Sequence, residues 1–93
     1  MHVLNRKVLG DAQKKHGDLA NSVAAWLKVA TEGKWKNLQE LRKTWRDTDC
    51  VNGVTIFNIK GNSYRMCAVV NYESQTIMLR AIVTHAEYSK RGC

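Results

Sequence analysis

The chain has no proline, only three cysteines, and 8 acidic residues against 15 lysines and arginines. Without proline there is no stiff extended linker, and no low-complexity segment or internal repeat divides the 93 residues. A single domain is expected, covering residues 1–93 and large enough for a modest core without disulfides or metals. Cys50, Cys67 and Cys93 are odd in number and lack C-x-x-C spacing. That argues against a disulfide framework and against a zinc site, so Cys67 reads as a small buried hydrophobe. No metal or other cofactor is expected. No apolar run approaches the length of a bilayer span, and the N-terminus lacks the apolar core of a signal peptide. The expected compartment is the reduced cytoplasm.

What the chain does have is charge of one sign. The net charge is +7 and the pI is near 9.6. In so short a chain this favours a polyanionic partner, nucleic acid first and an acidic protein second. The plainer alternative is a basic surface that serves solubility alone.

The pattern of the chain is organised around Val54 to Tyr88. Three β-branched and aromatic-rich runs are separated by turn signals at Gly61-Asn62 and Glu73-Ser74, which predicts a meander of three antiparallel strands. Two-residue loops there pair Lys60 with Ser63, Asn58 with Arg65, Cys67 with Arg80 and Arg65 with Ile82. One face of the sheet then collects Phe57, Ile59, Tyr64, Met66, Ala68, Ile77, Leu79, Ala81 and Val83 as a core. The opposite face receives Asn58, Lys60, Arg65, Arg80 and Thr84, with Val54, Ile56, Cys67, Val69, Met78 and Ile82 between them. Neighbouring strands lie about 5 Å apart, so this register gathers three cations on one partly open face.

Upstream of the meander the spacing is helical. Met1 to Leu4 suits one brief strand added to the sheet. Asn5 is a candidate N-cap for a helix ending near Lys15-His16-Gly17, with Gly17 just past its end. Asp18 is a candidate cap for a second helix over about 18–31, with Leu19, Val23, Trp26, Leu27 and Ala30 as its buried stripe. Trp26 reads as core rather than as a platform for stacking bases. Asn37 and Glu40 have capping-box spacing for a third helix to about Trp45, with Leu38, Leu41 and Trp45 buried. Lys34, Lys36, Arg42, Lys43 and Arg46 form a solvated or phosphate-facing set. Residues 47–53 read as a polar loop, and 84–91 as a short helical turn or tail that brings His85 and Tyr88 to the edge of the cationic face. The sum is an α+β domain with helices on one face of a small antiparallel sheet.

These residue types suit metal-free RNA cleavage. The reaction needs a group that takes a proton from the 2′-OH, one that gives a proton to the leaving 5′-oxygen, and fixed cations for the phosphorane's added charge. Histidine is the side chain that titrates near neutrality without tuning, which points to His85. Lys60 supplies charge or joins in acid–base work. Arg65 and Arg80 present planar donor forks to phosphate oxygens. Tyr88 can stack on a base or orient the phosphate. Against this stand the plainer readings of His85 as a surface histidine and Lys60 as a solvated turn residue.

FNIKGNSYR at 57–65, VNYESQTIMLR at 70–80 and VTHAEYSK at 83–90 resemble the HigB-type toxins of type II toxin–antitoxin systems, within the RelE/ParE superfamily. The opening MHVLNRK and WKNL at 35–38 fit the same family. The resemblance implies a RelE-like fold and an mRNA interferase that enters the ribosomal A site and cuts translated message. It also implies a cognate antitoxin with a helix-turn-helix domain, and a toxin that is monomeric until the antitoxin binds. Carried over by position, it assigns Lys60, Arg65, Arg80 and His85 as the catalytic cluster, with Tyr88 in support. His85 is the first choice of general base and Lys60 the second. Asn58, Asn62, Lys90, Lys34 and Lys36 are the expected RNA contacts. Ser63 stands where the family often carries a further lysine, which weakens one phosphate contact. Two other readings stay open: a non-catalytic RNA- or ribosome-binding module, and a gyrase-directed toxin of the same superfamily.

Overall fold

The computed structural model describes residues 1–93. The elements run β1 (His2–Leu4), α1 (Lys7–Lys15), a 3-10 turn (Gly17–Leu19), α2 (Ala20–Glu32), α3 (Leu38–Thr44), β2 (Asp49–Val51), β3 (Val54–Ile59), β4 (Tyr64–Asn71), β5 (Thr76–Thr84) and α4 (His85–Arg91). The five strands form one sheet in the order β1-β5-β4-β3-β2. The fold is α+β, as the pattern predicts. β2 to β5 pair antiparallel, and β1 joins β5 in parallel.

The helices α1 to α3 stack on one face because each presents a single apolar stripe. Leu9 and Ala12 from α1, Leu19, Val23, Trp26 and Ala30 around α2, and Leu41 from α3 are all buried. They meet Phe57, Ile59, Tyr64, Met66, Ala68, Ile77 and Leu79 from alternate strand positions. At the centre Trp26 and Trp45 stack with ring centroids 5.9 Å apart, and Phe57 meets both edge-on at 5.3 and 5.0 Å. Trp26 is thus a core residue. Trp35 packs so closely over Gly33 that a Cβ there would overlap its ring. The Trp35 indole N–H donates to the Thr44 hydroxyl at 3.1 Å.

Several local expectations change. Asn5 does not cap α1; it sits in the left-handed region (φ 62°) and its side-chain amide donates to the Leu79 carbonyl at 2.9 Å. Asp18 does not cap α2, because its carboxylate is taken by residues distant in sequence. Gly17 begins the 3-10 turn rather than ending a helix in the left-handed region. Asn37 does cap α3, accepting from the Glu40 N–H at 2.9 Å, while the Glu40 carboxylate accepts from Lys36 N–H at 3.0 Å. Residues 47–53 are not simply loop. Val51 pairs with Val54 across Asn52-Gly53, whose φ values of 51° and 80° make a tight hairpin that adds β2 at the sheet edge.

The register of β3 and β4 is as predicted, with Asn58 opposite Arg65. The connections are four-residue loops, 60–63 and 72–75, which keep the alternation of faces. Lys60 and Ser63 are therefore loop residues rather than a ladder pair, joined by Ser63 N–H to Lys60 carbonyl at 3.2 Å. Between β4 and β5 the prediction holds only halfway. Ala68 pairs with Leu79, but Cys67 pairs with Ala81 and Arg65 with Val83. Arg80 is the extra residue of a β-bulge, and beyond it every side chain changes face. Ile82, not Val83, consequently packs against the core.

Candidate functional site

The face of the sheet away from α1 to α3 holds Asn58 and Arg65 as direct neighbours. Thr84 starts α4 with a complete capping box. Its hydroxyl accepts from Glu87 N–H at 3.1 Å, and the Glu87 carboxylate accepts from Thr84 N–H at 3.0 Å. The Thr84 N–H first, then the Thr84 hydroxyl, with the pull of Lys15 and His16, hold the Glu87 carboxyl below the usual glutamate range. The His85 N–H donates to the Ser63 carbonyl at 2.9 Å, which seats the start of α4 on the β3–β4 loop. The chain then folds back over β3 and β4, and Cys93 bonds to Cys67 with their Cα atoms 6.1 Å apart. This overturns the reading of Cys67 as a free strand cysteine. An odd count argues against a full framework of bridges, not against one bond, and Cys50 is the exposed free thiol.

The fold-back delivers Tyr88 to Arg65, with the guanidinium carbon 5.8 Å from the ring centroid. The Arg65 fork is held from behind by the Asn62 and Tyr64 carbonyls at 3.1 and 3.2 Å and by the Asn62 side-chain oxygen at 3.3 Å. Asn58 donates to that same oxygen at 3.3 Å. Asn58, Asn62, Arg65 and Tyr88 thus form one connected group, with His85 exposed on the first turn of α4 and Lys90 on its last. Only two ion pairs form in the whole protein, Arg42–Asp49 and Lys60–Asp18, so Arg65 has no carboxylate partner.

Other predicted site residues lie elsewhere. The Lys60 ammonium donates to Asp18 at 2.7 Å, and the Tyr64 hydroxyl donates to the other Asp18 oxygen at 2.8 Å. These bonds, Lys60 first, hold the Asp18 carboxyl below its ordinary range, and the Tyr64 phenol is raised by the same contact. Lys60 therefore faces an acid at the helix side, not a cluster of arginines. The His16 ring packs at 5.1 Å from Tyr64 and completes this second group. Arg80, displaced by the bulge, lines a recess with Val8, Asp11, Ala12 and Lys15 beside α1. The expected gathering of Lys60, Arg65 and Arg80 on one face does not occur. Lys34 lines a recess with His2 and Arg6 near the start of β5, the end of the sheet remote from α4. Lys36 is exposed ahead of α3. Asp18 and His16 were absent from the expected set. Asp18 lies 42 residues from Lys60, and local pattern carries no sign of that contact.

The chain matches, over residues 19–91, the family described as HigB toxin, RelE-like toxic component of a toxin–antitoxin system. It is 30% identical over 91 residues to the mRNA interferase toxin HigB of Escherichia coli, covering 95% of this chain and 88% of that protein. The same figures hold for the mRNA interferase HigB of Shigella flexneri. A further mRNA interferase HigB, from another Escherichia coli strain, is 23% identical over 93 residues, covering 97% of this chain and 90% of that one. A basic α+β domain with an unpaired arginine braced against a C-terminal helix, and likeness to these relatives along its length, places the chain in the HigB family of RelE-like toxins of toxin–antitoxin systems.

Proposed function

We propose that the protein is an mRNA interferase, an endoribonuclease that cuts translated message on the ribosome in the cytoplasm and is restrained by a helix-turn-helix antitoxin. The toxin acts as a monomer and enters larger assemblies only with that antitoxin. The observation that carries this reading is Arg65: a guanidinium free of carboxylates, braced by Asn62, against Tyr88 and on the strand end beside the start of α4, which bears His85. A cation without a carboxylate partner, braced at a half-buried position, is suited to a phosphate.

In this reading His85 takes the proton from the 2′-OH. The 2′-oxygen then attacks the adjacent phosphorus, and the bond to the 5′-oxygen breaks as that oxygen acquires a proton from water. The products are a 2′,3′-cyclic phosphate and a 5′-OH end. Arg65 stabilises the phosphorane's extra negative charge, and Tyr88 fixes the guanidinium plane and stacks with a base. Asn58 and Asn62 contact the RNA beside it, and Lys90 adds charge on α4. Arg80, and Lys60 once released from Asp18, steer the approach of the strand from the flanks. Lys34 and Lys36 meet RNA at a distance from the chemistry.

The test is primer extension on a defined mRNA in a reconstituted translation reaction, with and without ribosomes. Wild type should give discrete breaks in frame with codons, only when ribosomes are present. Arg65→Ala should lower cleavage by about 100-fold or more while altering ribosome binding far less, and His85→Gln should behave likewise. Translation arrest with intact message would replace this reading with an occupancy module. No effect on message or translation would point to a target such as gyrase.

A further inference from the structure

Five large aliphatic side chains of this small protein remain exposed: Leu4, Val29, Val51, Val69 and Met78, at 38–44%. Four of them lie in one row. Leu4 of β1 pairs with Met78 of β5, and Met78 pairs with Val69 of β4. Val69 follows Ala68, whose partner is Thr55, so the register sets it abreast of Val54 on β3. Val54 in turn pairs with Val51 of β2. Paired residues share a face, and Thr55 and Ala68 are buried under the helices, so the whole row lies on the opposite side. Five strands at ordinary spacing make it about 19 Å long. At its β2 end the row enters a groove of about 340 Å³ between the sheet and α4, where Tyr88 and Arg91 form the rim.

Ile56 and Cys67 on the same face are covered, but this contiguous apolar row is left open to solvent, which marks an interaction site. Its chemistry narrows the partner. The row has no aromatic ring, so it gives bases nothing to stack on, and aliphatic groups give phosphates nothing to bind. A second copy would bring another +7 charge to a face already rimmed by Arg65 and Arg91, neither of which has a carboxylate partner. A protein segment with one apolar side and an acidic edge satisfies both requirements.

We propose that this row is the seat of an acidic, amphipathic segment of the antitoxin. Apolar side chains of that segment cover Leu4, Met78, Val69 and Val54, and its carboxylates reach Arg65 and Arg91. The inference rests on the toxin–antitoxin reading and deepens it, because an occupant of the row and groove would also screen Tyr88 from RNA.

The experiment measures binding of the purified cognate antitoxin by calorimetry. The toxins compared are wild type, Val69→Glu with Met78→Glu, the milder Val69→Thr with Met78→Gln, and Val29→Glu as an exposed apolar control on α2. The acidic double variant should bind at least about 100-fold more weakly, and the neutral double about 10-fold. Val29→Glu should stay within about twofold, and raised salt should weaken the wild-type complex. Thermal midpoints and ribosome-dependent cleavage should stay near wild type in all three. Wild-type affinity in both double variants would overturn the proposal. So would loss of RNA cleavage without loss of antitoxin binding, or a wild-type dimer that the double variants dissociate. If wild type binds no antitoxin at all, the toxin–antitoxin reading itself fails and the inference goes with it.

Discussion

On β4, Met66 and Ala68 are fully buried while Val69, one residue on, is 40% exposed; on β5, Ile77 and Leu79 are buried while Met78 between them is 43% exposed. The same strands therefore serve two faces that differ in what they contribute. Towards α1 to α3, apolar side chains interdigitate with helices and supply the stability of the fold. Towards α4, a seven-residue helix and the chain after it cover Ile56 and Cys67 but leave Val51, Val69 and Met78 open, and cations stand beside them. Residue type alone does not separate the two faces. What separates them is whether a helix stripe lies opposite, and the open face is the one free to meet other molecules.

Substitutions that act on one face and spare the other test this contrast. Phe57→Ala removes a fully buried ring from the aromatic cluster and should cost about 3–5 kcal/mol. Val69→Ala should stay within about 0.5 kcal/mol. Urea denaturation monitored by tryptophan fluorescence measures both, and equal losses would end the distinction. Next in size, Thr84→Ala removes the cap of α4 and should cost about 1 kcal/mol. Hydrogen exchange should speed up in residues 85–91 while the protected amides of β3 and β4 are unchanged. Faster exchange spread across the sheet would show that α4 is not a separate unit.

The smallest effect is pH. Glu87 and Asp18 are both held below their ordinary values of 4.5 and 3.8 by bonds made only in the fold. Their contribution is present in full above those values and is lost as the pH falls through the lowered ones. Acid titration of stability should therefore show a loss beginning below about pH 4.5, and Glu87→Gln should flatten its upper part. An unchanged acid limb in that variant would remove Glu87 from the account.

Much of the helical face was legible in the sequence because it depends on local periodicity. The stripe Leu19, Val23, Trp26, Ala30 and the alternation around Phe57 and Met66 needed only the 3.6- and 2-residue repeats. The connected group of Asn58, Asn62, Arg65 and Tyr88 was legible only in part. Asn58 against Arg65 followed from register, but the approach of Tyr88 depends on α4 folding back. Arg80 went astray because a single-residue bulge needs no glycine and leaves the hydrophobic pattern intact, yet it inverts all that follows. Asp18 looked like a cap because aspartate before a helical run usually is one. Its partners Lys60 and Tyr64 arrive from across the fold. The Asn52-Gly53 hairpin, by contrast, carried its signal openly, and only the polar residues around it made it look like loop.

The bond between Cys67 and Cys93 makes part of this molecule a covalent ring. Inside the ring lie all of β5 and α4, and with them Arg80, His85 and Tyr88; Arg65 stands two residues outside it. A protease cut between the exposed Glu73 and Ser74 would therefore not release the segment that bears His85 and Tyr88. The two pieces would migrate as one species until a thiol reductant opened the ring, and only then separate.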